Sequence, residues 1–165
     1  MAACDDDVLF DSDLTDVDGS GTIVTETRDV ADFERVTLAG EGRVIITTGA
    51  ATSLSLETDD NLMQHIETNV SGGELDIRTE SGIDIDPTDS VVYRITAPTI
   101  NAIRLAGAGD IDLDAASGSS FEIELLGAGD IEVTRLAVED LTVTIAGVGQ
   151  VTVVGGATSQ EVSIP

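Results

Sequence analysis

The chain has 165 residues, enough for one domain with a sizeable core. Its 32 acidic and 7 basic residues, the latter all arginine, give a formal charge of −25, a field that repels nucleic acid and anionic membrane surfaces. Three Phe, one Tyr and no Trp leave too few flat faces for a carbohydrate platform or base-stacking groove, and no apolar run approaches the roughly 18 residues of a spanning helix.

Met1-Ala2-Ala3-Cys4-Asp5 resembles the end of a bacterial lipoprotein signal, where the cysteine becomes the first mature residue and carries acyl chains. On that reading Met1 is a start replacing a removed signal, Cys4 is the lipidation site, and the alternative is a free thiol in an unstructured leader. Asp5, Asp6, Asp7, Asp11, Asp13, Asp16 and Asp18 crowd residues 1–18, so this segment is expected to be a flexible acidic tether. Order is expected from about Thr22, within a single domain over 19–165.

Asp16-Val17-Asp18-Gly19-Ser20-Gly21-Thr22-Ile23 matches the first eight positions of an EF-hand loop. The twelfth position, which should be a bidentate Glu, is Thr27, and strand-like sequence follows where a helix belongs. Asp16, Asp18 and Ser20 are thus only a weak calcium candidate, and no metal or other cofactor is expected.

Val44–Thr48 and Ser53–Glu57 read as strands separated by a turn at Gly49. Asp59–Thr68 carries an Asp cap and apolar residues at 62, 63 and 66, which predicts one short helix near 60–68. Strand signals resume at Glu74–Arg78, after the Gly72-Gly73 turn, and at Ser90–Ile95, bracketed by Pro87 and Pro98.

From Ala102 a phrase returns every 20 residues: Leu105-Ala106-Gly107-Ala108-Gly109-Asp110-Ile111, Leu125-Leu126-Gly127-Ala128-Gly129-Asp130-Ile131 and Ile145-Ala146-Gly147-Val148-Gly149-Gln150-Val151. An earlier copy is Leu38-Ala39-Gly40-Glu41-Gly42-Arg43-Val44. A fixed period of this size predicts an all-β parallel β-helix, a β-solenoid with coils of about 20 residues. Ile103, Ile123 and Val143 should then stack inside, over Leu105, Leu125 and Ile145. Gly40, Gly42, Gly107, Gly109, Gly127, Gly129, Gly147 and Gly149 are the structural turn glycines, placed where the strand bends and an inward side chain would collide.

The opposite parity faces solvent. Arg104, Glu124 and Thr144 form one column, with an ion pair expected between the first two; Asp110, Asp130 and Gln150 form a second, and Asp112, Glu132 and Thr152 a third. Carboxylates stacked at about the 4.8 Å strand spacing repel, so salt or divalent cations should raise stability. Val162 and Ile164 restart a strand that Pro165 ends, as if the solenoid stopped in mid-coil: Pro165 caps the edge, another copy covers it, or the chain is a fragment.

Little supports catalysis. A nucleophilic arrangement would have to use His65, the lone histidine, and the regular coils offer an anionic sugar only Arg104 and Arg135.

Gly19-Ser20-Gly21, Glu26, Arg28, Val30, Phe33, Leu38-Ala39-Gly40-Glu41-Gly42, Asp59-Asp60-Asn61-Leu62 and the Gly-Ala-Gly-Asp turns together resemble the bacterial family called "putative auto-transporter adhesin, head GIN domain". The resemblance implies a secreted or lipid-anchored envelope protein of parallel β-helix-like fold, and it supplies no catalytic residues. It also makes Gly19 and Gly21 turn residues of a first strand rather than parts of a calcium loop. The chain departs from typical members in ending after three regular repeats.

The resulting expectation is a non-catalytic module of the periplasm or cell surface, binding an unknown envelope or surface partner, with no nucleic acid and membrane contact only through a lipid anchor. The alternatives are a structural homo-oligomer joined through coil ends and a polysaccharide-active enzyme on a β-helix frame.

Overall fold

The structure, a computed structural model, describes residues 14–165. Its strands are β1 (Thr15–Asp18), β2 (Ile23–Arg28), β3 (Arg35–Leu38), β4 (Glu41–Thr48), β5 (Ser53–Asp59), β6 (Ile66–Ser71), β7 (Glu74–Thr79), β8 (Ile83–Asp86), β9 (Val92–Ala97), β10 (Ala102–Leu105), β11 (Ala108–Leu113), β12 (Ala116–Leu125), β13 (Ala128–Ile145) and β14 (Val148–Ser163). All but β1 and β8, which pair with each other, belong to one 12-stranded sheet.

The regular repeats pair as their period demands. Ile103 lies beside Ile123 and Ile123 beside Val143, all in parallel strands. The earlier copy joins the same stack: Val36 and Leu38 pair with Ile103 and Leu105, and Val44 with Ile111. Alternation therefore puts Ile103, Leu105, Ile111, Leu113, Ile123, Leu125, Ile131 and Val133 in the core, each at most 1% exposed.

The expected parallel β-helix does not form. The molecule is all-β, 69% strand and 2% helix, but its sheet is mixed and curls into an open half-barrel. Along one edge of the long β13, its first part pairs with β11 and its second with β12, so two arms of the sheet meet there, while β14 runs along the other edge. Both arms end in antiparallel strands, β2–β5–β9 on one and β6–β7 on the other. Turn chemistry explains the second case. Gly72 and Gly73 have φ of +59° and +77°, which suits a two-residue hairpin that sends the chain straight back, whereas a parallel coil needs a longer crossover.

The predicted helix near 60–68 is reduced to a 3₁₀ turn at Met63–His65, after which Ile66 begins β6. Two isolated turns are marginal in water, and here the carbonyls they would use internally have other donors. Arg28 Nη2 donates to Met63 O at 3.1 Å, and Nη1 to Ile66 O at 2.7 Å. Order also starts before Thr22. Thr15–Asp18, placed by sequence in the tether, form β1 against Ile83–Asp86.

Candidate functional site

The glycine corners are built by contact between neighbouring strands. At Gly127 an added Cβ would strike the carbonyl oxygen of Gly107, and at Gly129 that of Gly109, where φ is also +139°. The other corners repeat the arrangement: Gly107 approaches Gly40, Gly109 approaches Gly42, Gly147 approaches Gly127 and Gly149 approaches Gly129. Gly40 lies instead against Arg78 and Thr79, and Gly42 against Val91. Backbone hydrogen bonds continue through each bend, as in Leu126 N and Gly127 N, which donate to Leu105 O at 2.8 and 2.9 Å. The hindrance at the repeat corners thus comes from the adjacent backbone, joined at Gly42 by the Tyr93 and Val91 side chains.

The aspartates of the repeat are spent on the same corners. Asp110 Oδ1 accepts the Asp130 amide at 3.1 Å, and Asp130 Oδ1 accepts the Gln150 amide at 2.9 Å. A column that would otherwise only repel also ties strand to strand. The Arg104–Glu124 ion pair forms, and Arg43, not anticipated, donates to Asp112 Oδ2 through Nε at 2.8 Å and Nη2 at 2.6 Å.

The three calcium candidates are not brought together. Asp16 and Asp18 pair with Asp84 and Asp86 and, with Glu41, line a cleft of about 380 Å³. Burial, then Asp84 and Asp86, push the Glu41 carboxyl above its ordinary pKa, and its Oε1 is buried without a hydrogen-bond partner. Ser20 turns elsewhere: its amide donates to Asn61 Oδ1 at 2.9 Å and its hydroxyl to Asp60. Among the described residues no group of three or more His, Cys, Asp or Glu side chains could hold a metal ion.

Sequence reasoning missed Asp59, the centre of this region. Its carboxylate is fully buried and accepts the Thr88 hydroxyl at 2.7 Å, the Gly21 amide at 2.8 Å and the Thr88 amide at 3.0 Å. The Thr88 hydroxyl above all, with the two amides, holds its pKa below the ordinary value. Gly19 is required because a Cβ there would meet that carboxylate. The one available signal was Asp59-Asp60-Asn61 itself, which sequence alone reads as a helix cap.

A second cleft, of about 710 Å³, shares Glu41 and Asp86 and adds Arg43, Asp89 and Asp110. An arginine among carboxylates in a concavity is what a polysaccharide-active enzyme would need, but here Arg43 is engaged by Asp112. His65 Nδ1 lies 2.8 Å from Glu80 Oε2, and the Glu80 amide donates to His65 O at 2.7 Å, so this pair pins the 3₁₀ turn to the end of β7. Arg135, exposed, reaches Asp114 at 3.6 Å. Cys4 lies outside the described residues, and among these no helix is long and apolar enough to cross a membrane.

The profile of the family described as "Putative auto-transporter adhesin, head GIN domain" matches residues 32–165. No curated protein matches the sequence. Among solved structures, a "putative adhesin" from Bacteroides fragilis NCTC 9343 is similar with a TM-score of 0.79 and 23% identity, over 86% of this chain and 66% of that one. A "putative lipid binding protein" from Parabacteroides distasonis ATCC 8503 gives 0.68 and 18%, over 87% and 70%. A "putative adhesin" from Parabacteroides merdae ATCC 43184 gives 0.65 and 13%, over 90% and 80%. At these identities the likeness shows a shared fold, and the chain spans 66% of the first of these relatives.

Proposed function

Because the chain belongs to the head GIN domain family, we propose that it is a non-catalytic binding module displayed at the bacterial cell surface and held there by a lipidated Cys4. The family match over 32–165 supports the binding-module part of this reading, and the Met1-Ala2-Ala3-Cys4-Asp5 sequence supports the anchor. The engagement of these side chains within the fold supports it, since Asp110, Asp130 and Asp59 serve as backbone acceptors and Arg43 and Arg104 as ion-pair partners. What such a molecule offers a partner is a broad, rigid, strongly acidic face, and a charge of −25 favours partner surfaces rich in cations.

Display of the full chain on a non-adherent bacterium tests the function directly. Retention on a polylysine-rich or extracellular-matrix surface should rise several-fold and fall again at high salt. Retention equal to that of the empty strain would remove the adhesion reading. Fractionation with mass analysis of the N-terminus tests the anchor, which predicts an acylated Cys4 in the membrane fraction and a soluble Cys4→Ser protein.

A further inference from the structure

Asp86 and Pro87 form the one Asp-Pro bond of the chain, since Pro98 follows Ala97 and Pro165 follows Ile164. An aspartate in that position carries a nucleophile one ring closure away from its own carbonyl carbon. Proline makes the bond a tertiary amide, whose nitrogen takes a proton more readily than that of an ordinary peptide bond. The fold adds a grip on both sides of this bond. On the Asp86 side, the β1–β8 ladder ends with Gly19 N donating to Asp86 O at 2.8 Å, which draws electron density off the carbonyl carbon. On the Pro87 side, Asp59 holds the Thr88 amide at 3.0 Å and the Thr88 hydroxyl at 2.7 Å. The same carboxylate accepts the Gly21 amide at 2.8 Å and leaves room only for glycine at position 19. One buried group therefore fixes both the donor to the carbonyl and the leaving side, while Asp86 itself is exposed to water.

The fold also supplies a proton source. Glu41 lines the cleft of about 710 Å³ together with Asp86 and Pro87, and its Oε1 is buried with no hydrogen-bond partner among the described residues. The other charged groups of that cleft are Asp89, Asp110 and Arg43, the last engaged by Asp112. Asp16, Asp18 and Asp84 join Asp86 in the second cleft that Glu41 lines, and the Tyr93 hydroxyl donates to Glu41 O at 3.2 Å. Burial, then Asp84 and Asp86, keep the Glu41 carboxyl protonated to a higher pH than a free glutamic acid.

We propose that Asp86–Pro87 is a self-cleavage site, hydrolysed by the folded chain in mild acid with Glu41 as the proton donor. The Asp86 carboxylate attacks its own carbonyl carbon, and the new C–O bond closes a cyclic anhydride. The C–N bond breaks, its electron pair stays on the Pro87 nitrogen, and that nitrogen takes the Glu41 proton directly or through one water. A second water opens the anhydride, restoring the Asp86 side chain and leaving a new α-carboxyl, and solvent reprotonates Glu41; nothing is oxidised or reduced. The chain has no lysine to intercept the anhydride. The cut leaves the sheet whole, because β9 and β10 beyond it are paired with β4, β5 and β3 before it. It is a single event within the chain, compatible with a module that acts on no external substrate.

Incubation of the full chain between about pH 4 and about pH 7, wherever circular dichroism shows it folded, tests this against the same chain unfolded in urea at each pH. Mass spectrometry should find the pieces 1–86 and 87–165, formed at least about tenfold faster from the folded chain than from the unfolded one. That comparison needs no variant. The folded rate should climb as pH falls, and Glu41→Gln should abolish the climb while leaving the rate in urea unchanged. Asp59→Asn, which loosens the grip on Thr88 and Gly21, should slow the folded chain at every pH without moving its pH profile. Asp86→Ala and Pro87→Ala should both stay whole. A folded chain cut no faster than the unfolded one, a cut at another bond, a Glu41→Gln protein with the native pH profile, or an Asp59→Asn protein with the native rate would each overturn the proposal.

Discussion

At the residue scale, Asp59 shows how one buried carboxylate organises an apparently irregular segment. It holds the Gly21 amide, the Thr88 amide and the Thr88 hydroxyl, and so joins the loop between β1 and β2 to the loop between β8 and β9. Its folded pKa is depressed, so between that value and the ordinary one, about 3.9, the unfolded chain binds more protons than the folded one. The stability it contributes is complete above the ordinary value and lost as pH falls through the folded one. Urea unfolding of the native protein and of Asp59→Asn, compared from pH 7 down to about pH 3, should show the variant less stable at neutrality and the gap closing on acidification. A gap independent of pH would mean that the hydrogen-bond geometry matters and the charge does not. Sequence could not single out Asp59 among 32 acidic residues, because its donors lie 38 positions upstream and 29 downstream.

At the element scale, the bends between strands depend on two distinct uses of glycine. Gly129 needs both its backbone angle and the missing Cβ, because Gly109 O occupies that space, whereas Gly72 at φ +59° faces open solvent. Gly129→Ala should therefore cost at least about 3 kcal/mol, through a backbone clash with no flexible atom to give way. Gly72→Ala should cost about 1 kcal/mol, the penalty of the left-handed conformation alone. Equilibrium denaturation of the two variants should separate them clearly, and equal losses would show that the corners are not closely packed. These glycines were legible in the sequence because they recur at a constant offset, and a clash repeated in every strand leaves a repeated residue. The antiparallel strands were less legible. β5 lies beside β9 through pairs such as Leu54–Ile95 and Leu56–Tyr93, and nothing in either segment specifies that direction.

At the scale of the whole molecule, 32 acidic residues against 7 basic ones make electrostatic self-repulsion a property of the chain. The Asp110–Asp130 and Asp130–Gln150 bonds offset part of it locally, but the long-range component is left for counterions to screen. Raising salt from about 0.05 M to about 0.5 M should increase the apparent melting temperature by several degrees, most of the gain coming before the Debye length falls below about 10 Å. An unchanged melting temperature would indicate that the carboxylate columns are already neutralised within the fold. The sequence by itself determined the strand register, the aliphatic interior and the glycine corners of the repeats, since a two-residue side-chain period combined with a 20-residue repeat allows one way of burying Ile103, Ile123 and Val143 together. Only the tertiary structure decided that the stack opens into a half-barrel with antiparallel flanks and that the calcium-like loop is tied to Asp59, Asp60 and Asn61. Those outcomes depend on pairing between segments far apart in the chain, where the deciding free energy comes from burying each polar group against a partner that no local pattern names.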